Sequence, residues 1–390
     1  MAKLAEECRN VRQRIRDDGG GIFAMRRLLA ACVSFAAAVG VVIAVLMVTG
    51  TGCAHAHAGR EVISAAQLSA SPWQARTFYG HRLEPQEDVV LQGAGQSDSE
   101  SFLEYSHAVG AAQPMLFMTY VDLHDDLPAY FARLNKQLAA LPFFVVPQIG
   151  LALNQGDAAK HYEAQVLLGR EDAHLQQFCE GLRSLGRPAF VRPGYEFNGP
   201  WNGYQPAAYA AAFRRIVTKT RSCAGDSVAF VWDISAGAQM DRGDSDAAAK
   251  QSWSAYYPGD AFVDWWGINL FAAQELTSDA TQAFLAEAAA RKFPVMIAES
   301  TSLHQPASAG QKAVDGWFAP YFGLIRRTPN IRAFCYIDWD WAKYPQWADW
   351  GDDRIETDPT VLSFYKSQIA SPHVASARTP KSTFTLLRAR

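Results

Sequence analysis

The chain has 390 residues, with 36 basic against 39 acidic side chains and a formal net charge of −3. That length allows one large domain or two small ones, and that balance argues against nucleic acid as the main partner, which would call for a basic patch or stripe. Aromatic content is 12%, with 11 tryptophans mostly beyond residue 195; this fits a large core or a carbohydrate site, where indoles serve as apolar platforms for sugar faces.

The first 58 residues read as a signal peptide or membrane anchor with an upstream extension. Arg12, Arg14, Arg16, Arg26 and Arg27 precede an almost uncharged run over 28–48, which leads into Gly50-Thr51-Gly52-Cys53-Ala54-His55-Ala56-His57-Ala58. A basic start, an apolar middle and a small-residue A-x-A end describe a secretory signal. Met25-Arg26-Arg27 would open a signal of ordinary length, which makes Met25 an alternative start. The apolar run is also long enough to span a bilayer, so an uncleaved anchor is the alternative reading. Both readings place the folded part outside the cytoplasm, and the second adds membrane association. Of the three cysteines beyond the leader, Cys179 and Cys223 lie near the ends of neighbouring helix-like segments, so a disulfide between them is allowed. Cys335 sits in an apolar run and reads as a core thiol.

The folded part is expected over 59–370. Apolar runs at 89–92, 114–120, 143–148, 189–196, 228–233, 263–271, 294–299 and 331–338 predict eight strands. Ser97-Asp98-Ser99-Glu100 has the pattern of a capping box opening the first helix. Further helices are expected at 127–141, up to 185–186 after the third strand, from Pro206, and at 280–291, 312–327 and 359–369. Pro206 fits a first helical position, and Tyr209, Phe213, Ile216 and Val217 follow at helical spacing. Eight strand–helix units over this length predict a single (β/α)8 TIM barrel, whose parallel strands are buried on both faces. A doubly wound open sheet is the alternative, but Gly93-Ala94-Gly95-Gln96 after the first strand is not the dinucleotide fingerprint. Residues 371–390 show no periodicity and are expected to form a disordered tail.

In such a barrel, chemistry collects at the C-terminal strand ends. Glu196 ends the fourth run and Glu299 the seventh; Trp232 and Asp233 end the fifth, Asn269 lies in the sixth, and Asp338, Trp339, Asp340 and Trp341 follow the eighth. Strand alternation would put Arg192 and Glu196 on one side, and Val295, Ile297 and Glu299 on the lumen face. Two carboxylates facing a sugar are the minimum for glycoside hydrolysis, one protonated and one ionised. A separation of about 5 Å means a covalent, retaining route and about 6.5–9.5 Å an inverting one. Asp122, His124, Asp125 and Asp126 read as a solvated loop rather than a metal site. Asp241-Arg242-Gly243-Asp244-Ser245-Asp246 lacks the spacing and closing Glu of a calcium loop.

Arg192-Pro193-Gly194-Tyr195-Glu196-Phe197-Asn198-Gly199-Pro200-Trp201 resembles the acid/base motif of glycoside hydrolase family 26, the β-mannanase family of the retaining clan A barrels. The stretch from Tyr257-Pro258-Gly259-Asp260 to Trp265-Trp266-Gly267 looks like that family's approach to strand six, and Ile297-Ala298-Glu299 like its nucleophile strand. The resemblance spans residues 89–370. It implies that Glu196 is the general acid/base and Glu299 the nucleophile of a double displacement. It also implies that Arg192 orients carboxylates beneath the site and that Asn198 and Trp201 touch substrate. Tyr195, Trp232, Asp233, Asn269, Trp339 and Trp341 complete the expected substrate-binding set. The chain departs from the family at Tyr195, where His is usual, and at Phe271, where a Tyr commonly bonds the nucleophile. Both positions shape the subsite under attack, so the substrate is left open among mannan, xylan, glucan and bacterial exopolysaccharide. The expected protein is a secreted, endo-acting monomer on polysaccharide that needs no cofactor; a catalytically dead glycan-binding barrel is the reading outside the enzyme class.

Overall fold

The computed structural model describes residues 63–95, 98–240 and 253–387; the leader and the acidic stretch at 241–246 lie outside the described residues. Eight parallel strands run in chain order: β1 (Val90–Ala94), β2 (Leu116–Asp122), β3 (Val146–Ala152), β4 (Ala189–Pro193), β5 (Val228–Ser235), β6 (Trp265–Ala272), β7 (Val295–Leu303) and β8 (Ile331–Tyr336). Each pairs with the next, and β1 pairs with both β2 and β8, so the sheet closes. That closure decides between the two expected architectures in favour of the (β/α)8 barrel.

Closure sorts every strand into two faces. Leu116, Met118, Phe190, Val231, Trp265, Met296, Ala298 and Cys335 fill the lumen. Phe117, Ile149, Val191, Phe230, Trp266, Ile297 and Phe334 pack outward beneath the helices. Burial on both faces is why the strands read as unbroken apolar runs. The lumen is too crowded for a side chain at every position: a Cβ on Gly93 would lie 2.5 Å from the Leu116 Cβ and 2.7 Å from the Cys335 sulfur. Trp265 fills the floor, edge-on to Phe190 at 5.3 Å, with its indole N–H donated to the Arg82 carbonyl at 2.8 Å. β2 and β3 begin and end later than their apolar runs because hydrogen-bond register, Leu116 opposite Val146, sets their extent.

Among the described residues, the α-helices longer than three residues are α1 (Ala65–Ser69), α2 (Ser99–Val109), α3 (Leu127–Ala140), α4 (Tyr162–Leu167), α5 (Asp172–Ser184), α6 (Pro206–Ala224), α7 (Ala236–Met240), α8 (Asp279–Ala290), α9 (Ala319–Arg327), α10 (Pro359–Ile369) and α11 (Pro380–Leu386). Asp98, Asp126, Ser278 and Asp358 cap α2, α3, α8 and α10 by accepting N–H bonds in the first turn. The cap of α2 is therefore Asp98, one residue later than the expected box. A π-helical turn, Val314–Phe318, leads into α9. Cys179 of α5 and Cys223 of α6 are joined in a disulfide, with Cα atoms 6.2 Å apart.

The expected disordered tail is not what the chain forms up to residue 387. A short strand β9 (Val374–Ala375) pairs in parallel with β1, and α11 seats Leu386 and Leu387 beneath the barrel floor. Arg378 grips Glu87 through two bonds of 2.8 and 2.7 Å. The apolar residues here are too few for a period, and only tertiary contact orders them. Among the described residues, no helix is long and apolar enough to cross a membrane.

Candidate active site

The strand-end turn after β4 carries the first carboxylate, but not by strand alternation. β4 stops at Pro193, and the chain turns through Gly194 at φ +56° and Glu196 at φ +50°. A left-handed Glu is uncommon and costs on the order of 1–3 kcal/mol, so the surroundings must hold it. Asn202 does so by donating to the Tyr195 and Glu196 carbonyls at 3.0 and 2.9 Å, while the Gly199 N–H adds a bond to the Glu196 carbonyl at 2.8 Å. The Glu196 carboxylate accepts the Trp201 indole N–H at 2.9 Å. Trp201 folds across Gly199, where a Cβ would lie 2.4 Å from the ring.

Glu299 also departs from simple alternation. Val295 and Ile297 face outward, and the lumen residues are Met296 and Ala298. A register shift between β6 and β7 pairs Ile268 with Ile297 and then Asn269 with Glu299, leaving Ala298 as the extra residue. This bulge resets the phase and brings Glu299 to the mouth. The expectation that Val295, Ile297 and Glu299 share the lumen face is thus corrected, although Glu299 reaches the predicted place.

Arg192, on β4, reaches across the lumen to carboxylates of β5 and β7. Fully buried, its guanidinium donates to Glu299 Oε1 at 2.7 Å and to Asp233 Oδ2 at 2.8 Å. Its charge lies 5.0 Å from the Tyr195 ring centre and 5.5 Å from that of Tyr120. Burial pushes the Asp233 carboxyl up to about 7; Arg192 opposes this, and the Glu299 and Glu196 charges add to it. Burial, with the Glu299 charge, holds both the Tyr120 and Tyr195 phenols well above their ordinary value, so they stay neutral. Asn269 is wholly buried opposite Glu299, and neither of its amide atoms has a hydrogen-bond partner among the described residues. A Cβ on Gly267 would come within 2.6 Å of Asp233 Oδ1, so this glycine makes room for the carboxylate.

The structure thus brings together Arg192, Tyr195, Glu196, Trp201, Asp233, Asn269 and Glu299, but it places three expected substrate contacts elsewhere. Trp232 faces outward, stacked on Phe197 at 4.6 Å, because odd and even positions of β5 face opposite layers. Asn198 is buried and spends its amide on the Ser235 backbone, donating at 2.9 Å and accepting at 2.8 Å. Trp341 packs inward against Trp347 and Trp350. Trp339 is partly exposed and stacks on Tyr344 at 5.9 Å. Sequence reasoning missed Asn202 and Tyr120, both of which lie outside the stretch from Arg192 to Trp201. Asp122 is no free ligand either: it accepts backbone N–H bonds from His124, Asn154 and Gln155.

No protein-family model matches the chain. A β-1,3-xylanase of Alcaligenes sp is 26% identical over 344 residues, covering 80% of this chain and 70% of that protein. Endoglucanase H of Acetivibrio thermocellus is 26% identical over 225 residues, 52% of this chain and 22% of its own length. Among solved structures, the Cellulomonas fimi endo-β-1,4-mannanase double mutant superposes with a TM-score of 0.55 at 16% identity, covering 74% of this chain and 72% of that one. The GH26 β-mannanase of Bacteroides ovatus gives 0.53 at 13% identity, covering 77% and 93%. The fold is thus shared with family 26 β-mannanases of known structure. Its relatives by sequence and by structure are glycoside hydrolases, and this is the class of enzyme to which the comparisons assign it.

Proposed function

We propose that this glycoside hydrolase is secreted and cuts within a β-linked polysaccharide by double displacement, retaining anomeric configuration. Glu299 attacks the anomeric carbon while Glu196 protonates the leaving oxygen; Glu196 then takes a proton from the water that releases the glycosyl-enzyme. The observation that carries this reading is the pair of carboxylates brought to the barrel mouth from β4 and β7. Glu299 accepts from the buried Arg192 guanidinium at 2.7 Å, and Glu196 accepts the Trp201 indole N–H at 2.9 Å, so each is held in place by a fixed donor. Tyr120, Tyr195 and Asn269 would line the subsite under attack, with Trp339 at its edge. Secretion draws its support from the basic and apolar leader and from the Cys179–Cys223 disulfide.

The substrate panel should begin with β-1,3-xylan and β-1,4-mannan, which the relatives' names suggest, and extend to glucans and bacterial exopolysaccharide. Glu196→Gln is expected to lower kcat/KM about 10²–10⁴-fold, and Glu299→Gln by at least as much, each still unfolding cooperatively; Glu299→Gln should melt lower, because it removes one counter-charge from the buried Arg192. NMR of the first product should show retention, and inversion would remove Glu299 as nucleophile. A wild-type chain that binds glycans but cleaves none on this panel would make the protein a binder instead.

A further inference from the structure

His124, Glu171 and His174 stand apart from the carboxylate pair and are used by nothing described above. His124 follows β2 on the short loop into α3, and Glu171 and His174 begin α5. Their donor atoms all lie within 4.8 Å of one another. The Glu171 carboxylate stands between the rings, 3.1 Å from His124 Nε2 and 2.8 Å from His174 Nδ1. From this geometry we propose that His124, Glu171 and His174 form a divalent-metal site of zinc type.

The chemistry of the donors points to zinc. Two imidazoles and a carboxylate suit a borderline cation, which takes them at about 2.0–2.2 Å in a tetrahedron. Such bonds put neighbouring ligand atoms roughly 3.3 Å apart, inside the span found here, so small side-chain rotations are enough. Glu171 and His174 are three residues apart at a helix start, the Glu-x-x-His spacing by which one helix offers two ligands on one side. His124 carries an outer carboxylate: its Nδ1 lies 3.3 Å from Asp122 Oδ1, which would fix the tautomer that leaves Nε2 for the metal. Asp122 is itself held by three backbone N–H groups, and the His124 ring rests on Tyr162 with centroids 3.7 Å apart. His174 is the more exposed of the two imidazoles, which leaves the solvent side for a water as fourth ligand.

The alternative is an ion-pair network in which Glu171 simply bridges two histidines. A metal would pin the loop after β2 to the start of α5, on the barrel face that carries Glu196 and Glu299, so its effect is on the stiffness of that rim rather than on bond cleavage. The test uses the full chain stripped with a chelator and titrated with Zn²⁺, followed by calorimetry, metal analysis after dialysis, and thermal melting. The wild type is expected to bind one more zinc than His174→Ala or Glu171→Gln. Its Tm should rise by roughly 5 °C at a hundredfold excess over Kd, with no rise in either variant. His174→Gln, at a partly exposed position of similar size, guards against misfolding, and circular dichroism without metal checks all three variants. Equal zinc content and equal Tm response in wild type and variants would overturn the site, as would the absence of any zinc bound by the wild type. Zinc held by the leader histidines would be common to all and would cancel in the difference.

Discussion

At the scale of single residues, the site depends on one guanidinium that serves two carboxylates. Asp233 is buried beneath Glu299 and is pushed up to about 7 by burial, against the pull of Arg192. It therefore changes charge in the range where a glycosidase works, and its charge is felt by both glutamates. The pH profile of kcat/KM is expected to show an inflection near 7 that disappears in Asp233→Asn; a variant that keeps the inflection would assign it elsewhere. Asn202 acts differently, through the backbone of the left-handed Glu196. Asn202→Ala removes two bonds from buried carbonyls, which should cost about 1–3 kcal/mol of stability. It should also lower kcat more than it changes KM, because Glu196, the proposed acid/base, is displaced while the rest of the cleft is kept. Differential scanning calorimetry and steady-state kinetics on the same preparation would check both parts.

At the scale of elements, two irregularities place the carboxylates. Regular β4 would carry its alternation through Glu196, and regular β7 would turn Glu299 away from the lumen. The turn after Pro193 and the bulge at Ala298 overrule both patterns. This is why the strand-end glutamates could be read from the sequence while the reason for their position could not: a one-residue bulge has no signature in an apolar run. Parity also explains the misplacement of Trp232, a tryptophan at a strand end whose side chain faces the helix layer. The packing of α1 gives a separate expectation. A Cβ on Gly323 of α9 would lie 1.9 Å from the Leu68 carbonyl oxygen. Gly323→Ala should therefore displace α1 and cost about 1–3 kcal/mol, measured by urea unfolding, with hydrolysis at low temperature little changed.

At the scale of the whole molecule, two features make stability depend on surroundings. The Cys179–Cys223 bridge closes a loop across 44 residues. Replacing both cysteines by Ser should cost about 3–4 kcal/mol on the chain-entropy account, and reductant should shift the wild-type Tm toward that of the variant. Asp353 accepts the Thr301 and Ser302 hydroxyls at 2.6 and 2.7 Å, yet burial pushes its carboxyl up to about 7. A folded-state pKa above the unfolded value means that folding takes up a proton between about pH 4 and 7. Stability is then lost as pH rises through about 7, and Asp233 contributes in the same sense. Unfolding free energies at pH 5 and pH 8 should differ less in Asp353→Asn than in the wild type; an equal difference would clear Asp353 of the effect.

What the sequence by itself determined was the barrel and the class of reaction. Eight apolar runs separated by amphipathic stretches leave few ways to bury both faces of each strand, and glutamates at two strand ends are visible without coordinates. The motif around Glu196 added the family likeness. Tertiary structure alone decided which side of the sheet each side chain serves, because face depends on register and a single bulge reverses it. It also decided that Asn198 ties down Ser235 and that residues 371–387 are ordered, since both depend on partners far along the chain. The same holds for His124, Glu171 and His174: His124 lies 47 residues or more before the other two in the sequence, and only barrel closure makes them neighbours.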